Sequence, residues 1–312
     1  MPTAPLIVAL LCYGGVLAVL FPTAANWLSD YAQSTSIDQY TAETVVESPA
    51  GRAAKLLDAH TYNRQLFGGA SVGAHERLPQ ADTSRTVSGY SGQLRLDSNG
   101  TMGRIKIPAI DVDLPIYHGT SDEVLDKGVG HLEGTALPVG GTGTHAVLTA
   151  HRGLASAELF TRLDEVAVGD SFTVEVLGEV FVYSVIDTRV VDPDETQMLN
   201  PIAGDDLVTL VTCTPLGINS HRILVTAERV LPTPPEDVAA SGRNATGPGL
   251  PWWALVAGGA LVAVISYVWW AGTQEARVRQ AERAVLLGSK TSAADEPQEG
   301  SGDLRLGDDA AR

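Results

Sequence analysis

Cysteine is nearly absent from this 312-residue chain, which has only Cys12 and Cys213. They form no C-x-x-C pair, which argues against a structural zinc site. Cys12 sits in an uncharged apolar run of membrane character, so a disulfide to Cys213 would have to join a membrane segment to a polar domain. Basic residues are also scarce, with 21 Lys and Arg against 37 Asp and Glu and a formal net charge of −16. That balance leaves too little positive surface for a phosphate backbone and argues against nucleic acid as a partner. It suits solubility, or neutral and basic partners. What the chain does have is 32 Gly, 17 Pro and 44% hydrophobic residues. Many turns and a sizeable core together point to a β-rich fold.

Two uncharged apolar runs frame the chain. Residues 5–21 read PLIVALLCYGGVLAVLF, near the lower length limit for a spanning helix. This run is an anchor, or else a signal peptide cut near the small residues Thr23-Ala24-Ala25. Residues 250–271 read LPWWALVAGGALVAVISYVWWA. Trp252-Trp253 and Trp269-Trp270 bracket this run about 25 Å apart at 1.5 Å per residue, the spacing of an interfacial aromatic belt. Arg277, Arg279, Arg283 and Lys290 follow it, whereas only Arg243 lies close before it. Positive charge on the cytoplasmic side then puts the tail inside and residues 22–249 outside. Residues 274–287 read as a short helix lying on the membrane, and the acidic stretch beyond Gly288 has the composition of disorder.

Between the runs, Ser29 to about Phe67 reads as helix, with Ser29 and Asp30 as caps and Ala53 to Leu57 as strong helix formers. Gly68 to Gly100 reads as a long loop or covering segment. Strands are then expected at 105–108, 112–117, 146–149, 171–177, 180–191, 207–212 and 222–230, with a hairpin at Gly178-Glu179. A short helix is expected at Ala157–Phe160. Little helix and many short strands suggest a closed barrel or a sandwich. Pro232 to Pro251 reads as a linker.

Cys213 ends one of these strands, where Pro215 and Gly217 break it. A thiol there is a nucleophile if a cation holds its thiolate, and an inert core residue otherwise. Arg222 starts the next strand after eight intervening residues, so an antiparallel pairing sets it beside Cys213. There it could stabilise an oxyanion or hold substrate, or simply form a salt bridge. His151 sits where another strand meets a loop and could act as acid and base for the thiol. The chain has seven histidines. His118, His131, His145 and His221 also flank strands, and residue type does not choose among them.

The run Thr209-Leu210-Val211-Thr212-Cys213-Thr214-Pro215, followed by Arg222, resembles the sortase signature. Thr149-Ala150-His151-Arg152-Gly153 resembles that family's histidine segment. Residues 102–108, 114–120 and 130–135 are similar to the class C, pilin-polymerising sortases, as is the two-anchor layout. The resemblance implies a mainly β fold: a closed eight-stranded barrel with short helices, an N-terminal helical arm and two flanking transmembrane helices. Domain boundaries follow as 1–21 for the anchor or signal segment, 22–100 for the arm and lid-like segment, and 101–231 for the barrel. The linker is 232–249, the second span 250–271 and the cytoplasmic tail 272–312.

The implied activity is that of a cysteine transpeptidase acting on an LPXTG-like signal, with no cofactor and no metal. Cys213, His151 and Arg222 would be catalytic, while Thr212 and His131 would shape the substrate site, His131 standing second to His151 as base. The implied partners are LPXTG-bearing surface or pilin proteins and an amine acceptor, a pilin lysine or a cell-wall precursor, at a Gram-positive cell membrane. Two other readings use the same residues or dispense with them: a hydrolysing cysteine peptidase and a non-catalytic surface scaffold. One departure from class C stands out. Residues 68–100 occupy the lid's place but lack its Asp-Pro-aromatic anchor, with Leu78-Pro79 and Asp82 as the nearest fragments.

Overall fold

In a computed structural model, whose described residues are 3–66, 89–96 and 99–294, the alternating segments between 101 and 229 pair into a closed barrel. Its strands are β1 (Thr101–Ile107), β2 (Val112–His118), β3 (Val129–His131), β4 (Thr144–Thr149), β5 (Ser171–Val176), β6 (Glu179–Val191), β7 (Asp206–Thr214) and β8 (His221–Arg229). The order around the barrel is β1-β2-β3-β4-β7-β8-β6-β5, closed by β1 against β5. The β2–β3 and β4–β7 pairs are parallel and the rest antiparallel. The eight-stranded barrel is therefore as expected. Strand β3 was invisible to alternation because it has three residues, Val129–His131.

Local chemistry explains several joints. The β5–β6 hairpin closes over Leu177 and Gly178, both at positive φ (52° and 85°), the two-residue turn whose twist matches that of the strands. Gly130 admits no side chain, since a Cβ there would lie 2.4 Å from the Gly119 carbonyl and 2.9 Å from Leu125. That close approach seats the short helix before β3 against the barrel.

Inward-facing residues such as Met102, Ile105, Leu148, Phe172, Leu210 and Val225 fill the main core. A second apolar cluster, Leu132, Val147, Val191, Leu199, Val211 and Leu224, lies on the other face of β4, β7 and β8. The split follows the pleat: Val208 and Leu210 point one way from β7 and Val211 the other.

The helices differ from expectation. Helix α1 runs unbroken from Thr3 to Val46, with Pro22 inside it, and Ser29 and Asp30 fall mid-helix rather than capping it. The cap is Ser48, whose hydroxyl accepts from the Gly51 amide at 3.0 Å and starts α2 (Pro49–Gln65). Tyr40 of α1 joins arm to barrel, donating to the Met102 carbonyl (3.1 Å) while accepting from the Leu177 amide (2.9 Å).

No helix forms at 157–160. A bridge between Leu154 and Ala157 stands there instead: Leu159 sits at positive φ (45°), off the helical path, and Ala157, Leu159 and Phe160 each turn into the core. Helix α3 is Asp122–Leu125. The linker carries a short helix α4 (Pro235–Ala240) and is bound down: the Ala245 amide donates to Asp38 (2.8 Å) and Trp27 donates to the Gly249 carbonyl (2.8 Å).

Helix α5 runs from Trp252 to Ala294 without the expected break after residue 271, and most of the stretch expected to be disordered after Gly288 lies outside the described residues. Nothing between those positions is a proline or a cap, and Ala, Glu, Gln and Arg propagate helix well. Phe21–Trp253 form one compact unit; the start of α1 and the chain from Ala254 form another. Both α1 and α5 are long and apolar enough to cross a membrane, and their apolar stretches are almost wholly exposed. Most of the covering segment expected at 68–100 lies outside the described residues.

Candidate active site

Three adjacent strands bring the chemistry into one row. Strand β7 pairs with β8 so that Cys213 stands opposite Arg222. Strand β4 pairs in parallel with β7 from Thr144↔Asp206 to Thr149↔Val211. The ladder continues one step further, with the Ala150 amide donating to the Val211 carbonyl at 3.2 Å. Two residues beyond the last strand pair, the same register sets His151 beside Cys213. Registered neighbours on adjacent strands lie roughly 5 Å apart and share a face. Cys213 follows Val211 by two residues, so that face is the one bearing the second apolar cluster. Val191, opposite Arg222 on β6, and Leu199 of the β6–β7 loop form its apolar wall.

Arg222 is 2% exposed. Its Nη1 donates to the carbonyls of Asn219 (2.9 Å) and His221 (3.0 Å), which fixes the guanidinium under the β7–β8 loop. Cys213 and His151 are buried as well. Neither cysteine is in a disulfide. Leu125, the last residue of α3, packs on Cys213. The next residue, Asp126, places a carboxylate oxygen 3.8 Å from Nε2 of His151. The two form an ion pair when the imidazole carries its proton. A thiol, an imidazole and a fixed guanidinium in one row can attack a carbonyl, move a proton to a leaving amine and hold an oxyanion.

Comparison with known proteins decides the family. A family model for the sortase domain matches residues 105–230. The structure of sortase C-1 from Actinomyces oris is 47% identical, covers 58% of this chain and 99% of its own, and superposes with a TM-score of 0.54. The chain belongs to the sortase family. Sortase C of Streptococcus pneumoniae, at 37% identity and a TM-score of 0.58, covers 64% of this chain and 99% of its own. Sortase D of Bacillus subtilis (strain 168) is 26% identical over 181 residues, 56% of this chain and 88% of its relative. This sortase is thus a cysteine transpeptidase by family, and its structural neighbours are class C enzymes.

The two residues expected to shape the substrate site are placed differently. Thr212 is fully buried, and its hydroxyl donates to the Ala150 carbonyl at 2.8 Å, next to His151. His131 is fully buried too. Its Nε2 lies 2.8 Å from the Ala136 carbonyl and so carries the proton, while Nδ1 faces the Tyr90 hydroxyl at 2.8 Å. With both ring nitrogens engaged and no exposed surface, His131 meets neither substrate nor solvent. It is a core residue of β3, not a second base.

Burial pushes the His131 pKa down to about 4, and burial also lowers His118 and His145. A histidine whose native pKa is lowered leaves the folded state with fewer protons than the unfolded state. Its contribution is therefore present above the unfolded pKa near 6.5 and is lost as pH falls through the native value. His131 alone is expected to cost roughly 3 kcal/mol of stability by pH 4. Thermal unfolding of the chain in detergent should show a steep fall in Tm between pH 6.5 and 4; a flat profile would contradict this.

Sequence patterns missed Asp126 and Leu125, because nothing in a Ser-Asp-Glu-Val-Leu-Asp turn marks it as facing residues 25 and more positions away. Among the described residues no group of three or more His, Cys, Asp or Glu side chains is arranged to hold a metal ion.

Proposed function

We propose that this sortase cleaves an LPXTG-like signal between Thr and Gly and passes the acyl group to an amine, above all the ε-amine of a pilin lysine. The row of His151, Cys213 and Arg222 carries the reading. The class C neighbours support the pilin acceptor, one of them being the S. pneumoniae enzyme whose structure is described in terms of pilin substrate specificity.

In this mechanism the Cys213 thiolate attacks the threonine carbonyl. The oxyanion forms against the Arg222 guanidinium. The C–N bond breaks as imidazolium His151 gives its proton to the departing glycine amine. The thioester keeps the acyl group reactive, so no nucleotide is consumed. The acceptor amine then loses a proton to His151 as it attacks, and the thiolate leaves. On this reading residues 22–249 lie outside the cell and the basic residues after the second span mark the cytoplasmic side.

The test is the chain in detergent with an LPXTG peptide, offered in parallel a pilin lysine, a cell-wall stem amine or water alone. Transfer to the lysine supports pilus assembly, transfer only to the stem amine supports wall anchoring, and hydrolysis alone indicates a peptidase. Asp126→Asn should lower kcat about two- to five-fold at low salt, the worth of an exposed ion pair. The gap should close at high salt. Equal losses at both ionic strengths would show that the carboxylate acts otherwise than by charge.

A further inference from the structure

The parallel pairing of β4 with β7 has an offset of 62 residues, and side chains carry that offset past the end of the ladder. Thr212 bonds to Ala150 through its hydroxyl at 2.8 Å. Arg152 bonds to Thr214 through Nη1 at 2.9 Å. Both contacts span 62 positions, and both flank the one pair at that offset left between them, His151 and Cys213. The Arg152 guanidinium is further held by the Thr161 carbonyl through Nε (3.0 Å) and by Asp164 through Nη2 (2.7 Å), and its side chain is 9% exposed. Gly153 is tied to the same turn, its amide donating to the Thr161 hydroxyl at 3.0 Å.

We propose that Arg152 is a positioning residue. It clasps the loop after His151 to Thr214, the last residue of β7, and so sets the thiol–imidazole geometry on the His151 side, where pairing of β4 with β7 has ended. Beyond Ala150 the chain after β4 is no longer held by the ladder to β7, and beyond Thr214 β7 is no longer paired with β8. Without a lateral tie, the two loops could part by an ångström, which costs a reaction of this kind about 100-fold. Arginine suits the task because its planar fork reaches three acceptors at once and keeps its charge. The opposite flank needs only the short Thr212 hydroxyl, since Ala150 still lies in the ladder.

The proposal rests on Cys213 and His151 being the reacting pair. The test is a double-mutant cycle on the full chain in detergent, following amine transfer of an LPXTG peptide and alkylation of Cys213 by iodoacetamide. Arg152→Met and Thr214→Val should each lower kcat about 10- to 100-fold, with KM within two-fold. The double variant should be no slower than the slower single, because both remove one contact. The alkylation rate of Cys213 at a fixed neutral pH should change in each, as the thiol and imidazole move apart.

Asp164→Asn breaks the loop staple but leaves the Arg152–Thr214 bond, and should lower kcat less than three-fold. If Arg152→Met fails to fold, Thr214→Val alone decides, since it leaves the other two Arg152 partners in place. A Thr214→Val enzyme with wild-type kcat, additive losses in the double variant, or an Asp164→Asn loss equal to that of Arg152→Met would each overturn the clasp. Retained transfer in Cys213→Ala would instead overturn the reading beneath it.

Discussion

Cys213→Ala is expected to eliminate both thioester formation and transfer to an amine, a loss on the order of 10⁴-fold or more. The argument is chemical, not structural. Cys213 lies in the middle of the row, between His151 just after β4 and Arg222 on β8, and the register brings no other nucleophile to that place. Alanine keeps the backbone and most of the volume. It leaves a gap of one sulfur against Leu125, worth about 1 kcal/mol. Tm should therefore move by only a few degrees while activity disappears. Mass spectrometry of the chain after incubation with an LPXTG peptide reads the acyl adduct directly. Substantial turnover by the alanine variant would remove the thioester from the mechanism.

Arg222→Lys is expected to cost roughly 10²- to 10³-fold in kcat, the worth of a preorganised oxyanion donor. Charge is conserved, so the loss isolates geometry. Arg222 uses Nη1 on the carbonyls of Asn219 and His221, and that anchoring aims the rest of the fork. A lysine ammonium is a single point on a flexible stem and cannot hold two loop carbonyls while meeting a developing oxyanion. Single-turnover acylation separates the effects: a slow acylation step with unchanged peptide KM supports an oxyanion role. A raised KM with normal acylation would make Arg222 a substrate-holding residue instead.

Much of the barrel was legible because its strands obey one local rule. Alternation marked seven segments, and the turn at Gly178 was visible as a hairpin. The failures have identifiable causes. Strand β3 is too short to alternate and exists because β2 and β4 flank it. The stretch at 157–160 has helix-forming residues, but the core claims each side chain separately. Ser29 and Asp30 have the chemistry of caps, yet they lie inside a helix that began 26 residues earlier, and a helix already propagating has no use for a cap.

The candidate site divides the same way. That a thiol ends a strand and an arginine begins the next was readable, because a hairpin pairs residues close in the chain. The family motif then singled out His151 among seven histidines. His131, which also sits in a matching segment, stood second to it. Their contacts separate them: His131 is enclosed by Tyr90 and the Ala136 carbonyl, while Asp126 reaches His151.

The sequence by itself determined the nucleophile's neighbourhood, the apolar runs at either end and the β-rich character, since each depends on residues near one another along the chain. The tertiary structure alone decided how His151 is brought beside the thiol and what holds it there. The β4–β7 pairing joins residues 62 apart, and no local pattern specifies a parallel register at that distance. The closed barrel does, by leaving those two strands adjacent. The contacts of Thr212 with Ala150 and of Arg152 with Thr214 then carry that register to the reacting pair.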